Sequence, residues 1–113
     1  MIQMAGKKLY LVGRSLCNDQ LTCNMLDMIL LQKKLGITGQ TIHLLQDGVT
    51  AAKKNGLFHD QMQKIINAGV TVTVQEEDLL ARGDFPLIKG ISKVNYSGTI
   101  DLIFQNEGIC SNI

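Results

Sequence analysis

Short runs of β-friendly apolar residues alternate along this chain with stretches of helical spacing, and no other feature narrows the fold so far. Residues 7–13, KKLYLVG, have the polar start, apolar body and glycine stop of a short buried strand. Residues 14–18 form a connection in which Asn18 or Asp19 can cap a helix over 19–35. Leu21, Met25, Met28, Ile29 and Leu35 recur at helical spacing and Gly36 suits the C-terminal cap. Leu26, Leu30 and Leu31 widen the apolar surface, which predicts one face on a sheet and another against a neighbouring molecule. Residues 40–46 carry T-I-H-L-L, a continuous apolar run of the kind a strand covered on both faces requires.

The stretch LLQDGVTAA that follows has two readings. Asp47-Gly48 between apolar runs is a hairpin signature, but TAAKKNG is poor strand material. A strand-to-helix turn at Gly48, with a short helix from Thr50, is the better reading. A helix is expected over 59–68 with Gly69 as its stop. VTVTV at 70–74 puts its valines on one face and its threonines on the other. Residues 76–81 read as a short helix, acidic where the helix dipole favours acid, and 90–95 as a fourth strand. Residues 98–104 fit a helix or a final strand, and the tail from Asn106 reads as loosely held. Strands alternating with helices imply an α/β fold of three layers, α/β/α, around a mostly parallel central sheet of four to five strands. Functional groups in such sheets gather beyond the carboxyl ends of the strands. Here those ends are 13–17, 46–48, 75–78 and 95–98.

The 113 residues are read as one domain, residues 1–113. A formal net charge of +1 argues against a strong nucleic-acid footprint. The longest apolar stretch, MLDMILL, is far shorter than the ~20 residues that cross a bilayer. No long apolar segment follows the first lysines, so the chain is read as cytoplasmic. Three cysteines in such a compartment are expected as free thiols rather than a disulfide framework.

Several chemistries are excluded by pattern. The sequence has neither a G-x-G-x-x-G nor a G-x-x-x-x-G-K-[ST] phosphate cradle, no G-x-S-x-G elbow and no C-x-x-C. It holds no Cys/His set at zinc spacing, so neither metal nor cofactor is expected. His43, inside a strand, is read as a hydrogen-bonded structural residue. Glu76, Glu77 and Asp78 read as a solvated first helical turn, and Met4, Met25, Met28 and Met62 as core fillers. Arg82-Gly83-Asp84 spells an adhesion tripeptide with no context to support it. Cys17 lies just before a helix and near Arg14, and both features stabilise a thiolate. The alternative is that it is a small apolar filler at the sheet edge. Cys23, further into the helix, is read as core and as the weaker chemical candidate, and Cys110 as a tail residue.

Three stretches together resemble the DsrH/TusB branch of the DsrE/DsrF/DsrH family: LLQDGV with Ala51-Ala52, EDLLARG at 77–83, and VNYSGTIDL at 94–102, after an Arg14-Ser15 that follows the first strand. The resemblance spans roughly residues 8–104. It implies a subunit that assembles as a homo-oligomer or with DsrE/TusD-like and DsrF/TusC-like partners. It also implies service in a persulfide relay, as in tRNA 2-thiouridine synthesis or intracellular sulfur oxidation. The principal sulfur-accepting cysteine of the family lies after the third strand of another subunit. Here that region is VQEED, without a thiol. The resemblance therefore implies a role mainly in assembly, with Arg14, Asp47, Gly48 and Arg82 shaping the edge and Cys17 or Cys23 as receiving thiols. The other reading is a non-catalytic, self-associating binding or regulatory domain.

Overall fold

A computed structural model describes residues 7–16 and 20–112. Five strands form one sheet: β1 (Lys8–Val12), β2 (Gln40–Leu44), β3 (Thr71–Gln75), β4 (Ile91–Val94) and β5 (Gly108–Asn112). Their order is β4-β3-β2-β1-β5 and every neighbouring pair is parallel. Four α-helices connect them: α1 (Gln20–Lys34), α2 (His59–Asn67), α3 (Glu76–Ala81) and α4 (Tyr96–Gln105). A 3₁₀ helix over Gln46–Ala52 follows β2. The chain steps across the sheet from β1 to β4, and α4 then returns it to the far side of β1.

The register separates the two faces. Tyr10, Ile42 and Val72 are aligned on three adjacent strands, as are Val12, Leu44 and Val74. These six side chains pack with Leu26 and Ile29 of α1, Val49, Ala51 and Ala52 of the 3₁₀ helix, Met62 and Ile65 of α2, and Leu79 of α3. That face holds the main core. The opposite face presents Leu9, His43, Thr73 and Gln75, and α4 lies over it, since Thr99 of α4 bonds both His43 and Gln75. The three-layer parallel arrangement expected from the alternation is the one observed.

The LLQDGVTAA stretch is a strand-to-helix turn and not a hairpin, because β2 is paired parallel on both sides. The helical continuation starts at Gln46, earlier than Thr50, and is 3₁₀. VTVTV behaves as read, with Val72 and Val74 on the core face. Residues 98–104 are helical. The tail is not loose: Gly108–Asn112 pairs with β1 along its whole length, which places Cys110 on an edge strand beside Tyr10.

α1 also differs from expectation in the face it buries. Its inward residues are Thr22, Leu26 and Ile29, at i, i+4 and i+7, while Leu21, Met28 and Leu35 are exposed. The helix is apolar on nearly every side, so spacing alone could not choose the face. It ends as expected at Gly36, whose φ is +90°. The N–H groups of Gly36 and Ile37 there bond the carbonyls of Lys33 and Gln32, the Schellman pattern.

Candidate functional rim

Because all five strands run the same way, their carboxyl ends share one edge of the molecule. The turn after β2 is its centre. The Leu45 N–H bonds the Val12 carbonyl at 3.0 Å, tying the end of β2 to the end of β1. Gly48 then crosses directly above that carbonyl. A Cβ at this position would stand 2.1 Å from the Val12 oxygen and 2.9 Å from its carbon. Glycine is required here by close approach of two backbones rather than by a left-handed φ. The left-handed residue is Gln46, at φ +50°, an uncommon conformation for a side chain of this kind. It is held there by its N–H, which bonds a carboxylate oxygen of Asp78 on α3 at 2.7 Å.

Arg82, one turn beyond Asp78, closes the arrangement. Its Nε and Nη2 both donate to Asp47 Oδ1, at 3.2 and 3.1 Å, and its Nη1 donates to the Asp78 backbone carbonyl. The Asp47 carboxylate is mostly exposed and Arg82 partly covered, so the pair is a surface ion pair with a fixed fork geometry. Asp47, Gly48 and Arg82, 35 residues apart in sequence at the extremes, are thus brought into one structure. Arg14 is exposed just past the end of β1, on the same edge. Cys23 sits half-buried in the first turn of α1, its thiol 3.7 Å from the Leu16 carbonyl. Cys17 lies outside the described residues, as do Asn18 and Asp19.

A second feature lies beneath the rim, built around His43, which the sequence marked only as a structural residue. His43 is fully buried, yet both ring nitrogens have partners. The Gln75 amide donates from Nε2 to Glu77 at 2.7 Å, so its Oε1 faces the imidazole at 2.8 Å. The proton of neutral His43 therefore sits on Nε2, and Nδ1 accepts from the Thr73 hydroxyl at 2.7 Å. The Thr99 hydroxyl of α4 donates to the same Gln75 oxygen at 2.5 Å. Burial pushes the His43 pKa below its ordinary 6.5, opposed by the Gln75 bond and the Asp78 charge.

Glu77 anchors the outer end of this chain of bonds and also accepts the Tyr96 N–H at 3.2 Å. Desolvation works to raise its pKa. Bonds from the Gln75 amide and from backbone N–H groups outweigh it and hold the carboxyl below the usual range. The first turn of α3 is therefore not merely solvated, since Glu77 fastens α4 and Asp78 fastens the β2 turn. The i, i+2 spacing of Thr73, Gln75 and Glu77 was the available sequence pattern, but nothing local pairs it with His43 or Thr99.

An open depression of 460 Å³ is lined by Thr50, Lys53 and residues 55–58. Lys53 is turned over the Phe85 ring at 5.8 Å. Among the described residues no cluster of metal-ligating side chains occurs, and no helix is long and apolar enough to cross a membrane.

A family model described as "DsrH like protein" matches residues 25–108. The fold is shared with solved structures. The YchN protein of E. coli superimposes with a TM-score of 0.83 at 16% identity, covering 95% of this chain and 99% of that one. A conserved protein of unknown function from Bacteroides thetaiotaomicron gives 0.74 at 16% identity, covering 99% and 100%. One from Methanobacterium thermoautotrophicum gives 0.66 at 15% identity, covering 88% and 90%. No curated protein sequence matches the chain. The matched segment contains Asp47, Gly48 and Arg82 but none of the three cysteines, which stand at 17, 23 and 110.

Proposed function

We propose that this chain, which belongs to the DsrH-like protein family, is an assembly subunit of a sulfur-relay complex that works with DsrE/TusD-like and DsrF/TusC-like chains. The observation that carries the reading is that the β2 turn and the first turn of α3, at the centre of the rim, hold no thiol. The family match covers the β2 turn and α3, and their main polar groups bond one another: the Gln46 N–H and Asp78, Asp47 and Arg82, Gln75 and Glu77. Such a surface positions a partner; it offers no nucleophile of its own. The position after β3 that carries the accepting thiol in other subunits of the family is Glu76–Asp78 here.

Sulfur reception by this chain, where it occurs, falls to Cys17, with Cys23 second. The step is a simple exchange. A cysteine thiolate attacks the outer sulfur of a donor persulfide, the donor S–S bond breaks, and the donor leaves as its thiolate. No net oxidation or reduction takes place. The half-buried Cys23 thiol, directed at the Leu16 carbonyl, is the poorer nucleophile of the two. The relay is that of tRNA 2-thiouridine synthesis or of sulfur oxidation, and loss of 2-thiouridine from bulk tRNA on gene deletion separates the two.

The test is binding and mass together. Purified chain is mixed with DsrE- and DsrF-like subunits, a cysteine desulfurase and L-cysteine, and complexes are weighed by native mass spectrometry. The expected result is a stable complex that survives Cys17→Ser and Cys23→Ser together, with any one-sulfur adduct on this chain lost in Cys17→Ser. Absence of both complex and adduct would overturn the proposal and leave the self-associating, non-catalytic reading.

A further inference from the structure

We infer that the edge opposite the rim, where the strands begin, binds single-stranded nucleic acid through its phosphates. A net charge of +1 conceals how the charges are placed. Because every strand runs the same way, the helices bring the chain back to this edge, and lysines stand at the start of four adjacent strands. Lys89 precedes β4, Lys64 lies in the last turn of α2, Lys33 and Lys34 lie in the last turn of α1, and Lys7 and Lys8 open β1. These are six of the eleven basic residues. Glu107, just ahead of β5, is the one acid among the described residues of this edge. The acids gather at the rim instead, with Asp47 after β2 and Glu76, Glu77 and Asp78 after β3.

The lysines form a continuous stripe, ~15 Å long at the usual strand spacing. The Lys8 N–H bonds the Gly39 carbonyl between α1 and β2, and the Lys7 carbonyl accepts from Glu107 and Gly108. Lys33 is laid across to the turn before β3, where a Cβ on Gly69 would lie 3.1 Å from its Cε and 3.5 Å from its Nζ. Lys8 runs over β5 in the same way, 3.6 Å from the place of a Gly108 Cβ. Stems on backbone with the ammonium groups in solvent is the usual disposition of a long cationic side chain. Lys33 is half-buried and the other five are exposed. None of the six is ion-paired with a described residue, whereas Arg82 at the rim is taken up by Asp47. The helix dipole accounts for Lys33, Lys34 and Lys64. Lys7, Lys8 and Lys89 serve no helix end, and like charges held side by side repel until an anion lies among them.

Residue type selects the occupant. Lysine is depleted from protein–protein interfaces, while it serves as a point-charge binder of phosphate. A stripe of lysine without arginine therefore fits a phosphate backbone better than an acidic protein face. Phe104 favours a single strand. It stands in the last turn of α4, where that helix reaches the same edge, and is 83% exposed. An exposed ring beside phosphate-binding cations is a stacking platform for an unpaired base. The rim lies on the far side of the sheet, so protein partners there and nucleic acid here can be held at once, and neither contact depends on the other.

Fluorescein-labelled oligouridine of about twelve nucleotides, within the usual range of single-strand site sizes, is titrated with the full chain and read by anisotropy. Affinity is expected to fall roughly 50- to 300-fold between about 50 and 200 mM KCl, the response of about four to six phosphate contacts on a single strand. Lys33→Ala/Lys34→Ala is expected to weaken binding and to lower the salt slope by ~1.4. Phe104→Ala is expected to weaken binding on the order of tenfold with the slope unchanged, a split that charge alone does not produce. Lys53→Gln/Lys93→Gln removes two cations elsewhere and is expected to bind as the wild type does. Circular dichroism checks folding, and Lys7→Gln/Lys89→Gln replaces the first variant where its helical signal is lost. No binding at the lower salt, an equal loss in Lys53→Gln/Lys93→Gln, or unchanged affinity in Phe104→Ala overturns the inference. So does displacement of the oligouridine by polyglutamate at equal charge, or preference for phosphatidylserine vesicles, which would assign the edge to an acidic protein or a membrane. Sulfur uptake and binding of DsrE-like chains are read separately, so failure here leaves the proposed function standing.

Discussion

Replacing Gly48 by alanine tests the construction of the rim. The new Cβ would lie 2.1 Å from the Val12 carbonyl oxygen, with the carbonyl carbon at 2.9 Å. Ordinary contact between such atoms is well over 3 Å, so the 3₁₀ helix must lift by about an ångström or more. The obstacle is backbone at the end of a paired strand and cannot rotate away. Overpacking of this kind costs roughly 1–3 kcal/mol. Lifting the turn also breaks the 3.0 Å bond from Leu45 to Val12, a backbone pair in a covered position, for a further ~1–3 kcal/mol. A loss of about 2–6 kcal/mol is expected, a large part of the 5–15 kcal/mol typical of a domain. Urea unfolding reads it as a lower midpoint at unchanged slope. Gly83→Ala is the control. Gly83 has φ +109° and nothing within 4 Å of a Cβ, so only backbone strain of ~1–2 kcal/mol applies. If Gly48→Ala loses less than Gly83→Ala, the close approach at the rim does not exist as described.

Three other perturbations have defined outcomes. His43 is held neutral in the folded chain, so the unfolded chain binds its proton first as pH falls. Stability is then complete above pH 6.5 and declines below it towards the lowered folded pKa, by up to ~1.4 kcal/mol per pH unit. His43→Gln should flatten that part of a pH series of urea midpoints, and an unchanged slope would assign the titration elsewhere. Met62→Ala removes a fully buried side chain and should cost about 2–5 kcal/mol in the same assay. A loss below 1 kcal/mol would show that α2 does not pack as found. Arg82→Ala removes an exposed ion pair and should change stability by no more than ~1 kcal/mol, with the difference shrinking in high salt. A larger, salt-insensitive loss would mean that the fork to Asp47 is buried.

The order of short apolar runs and helical stretches was enough to establish the layered parallel fold, because period and composition are local properties that chain neighbours share. The continuous T-I-H-L-L run announced a strand covered on both sides, and the poor strand character of TAAKKNG ruled out a hairpin. From parallel strands it also followed that 46–48 and 75–78 meet at one edge. Only the tertiary structure decided which side of α1 is buried, since a helix apolar all round takes its orientation from the sheet it lands on. It alone joined β5 to β1, because GICSN has weak strand character and its partner is about a hundred residues away in sequence. It alone supplied the partners of His43, Gln46 and Asp47. Hydrogen bonds and ion pairs are set by distances between strands and helices far apart in the chain, and no local pattern encodes those distances.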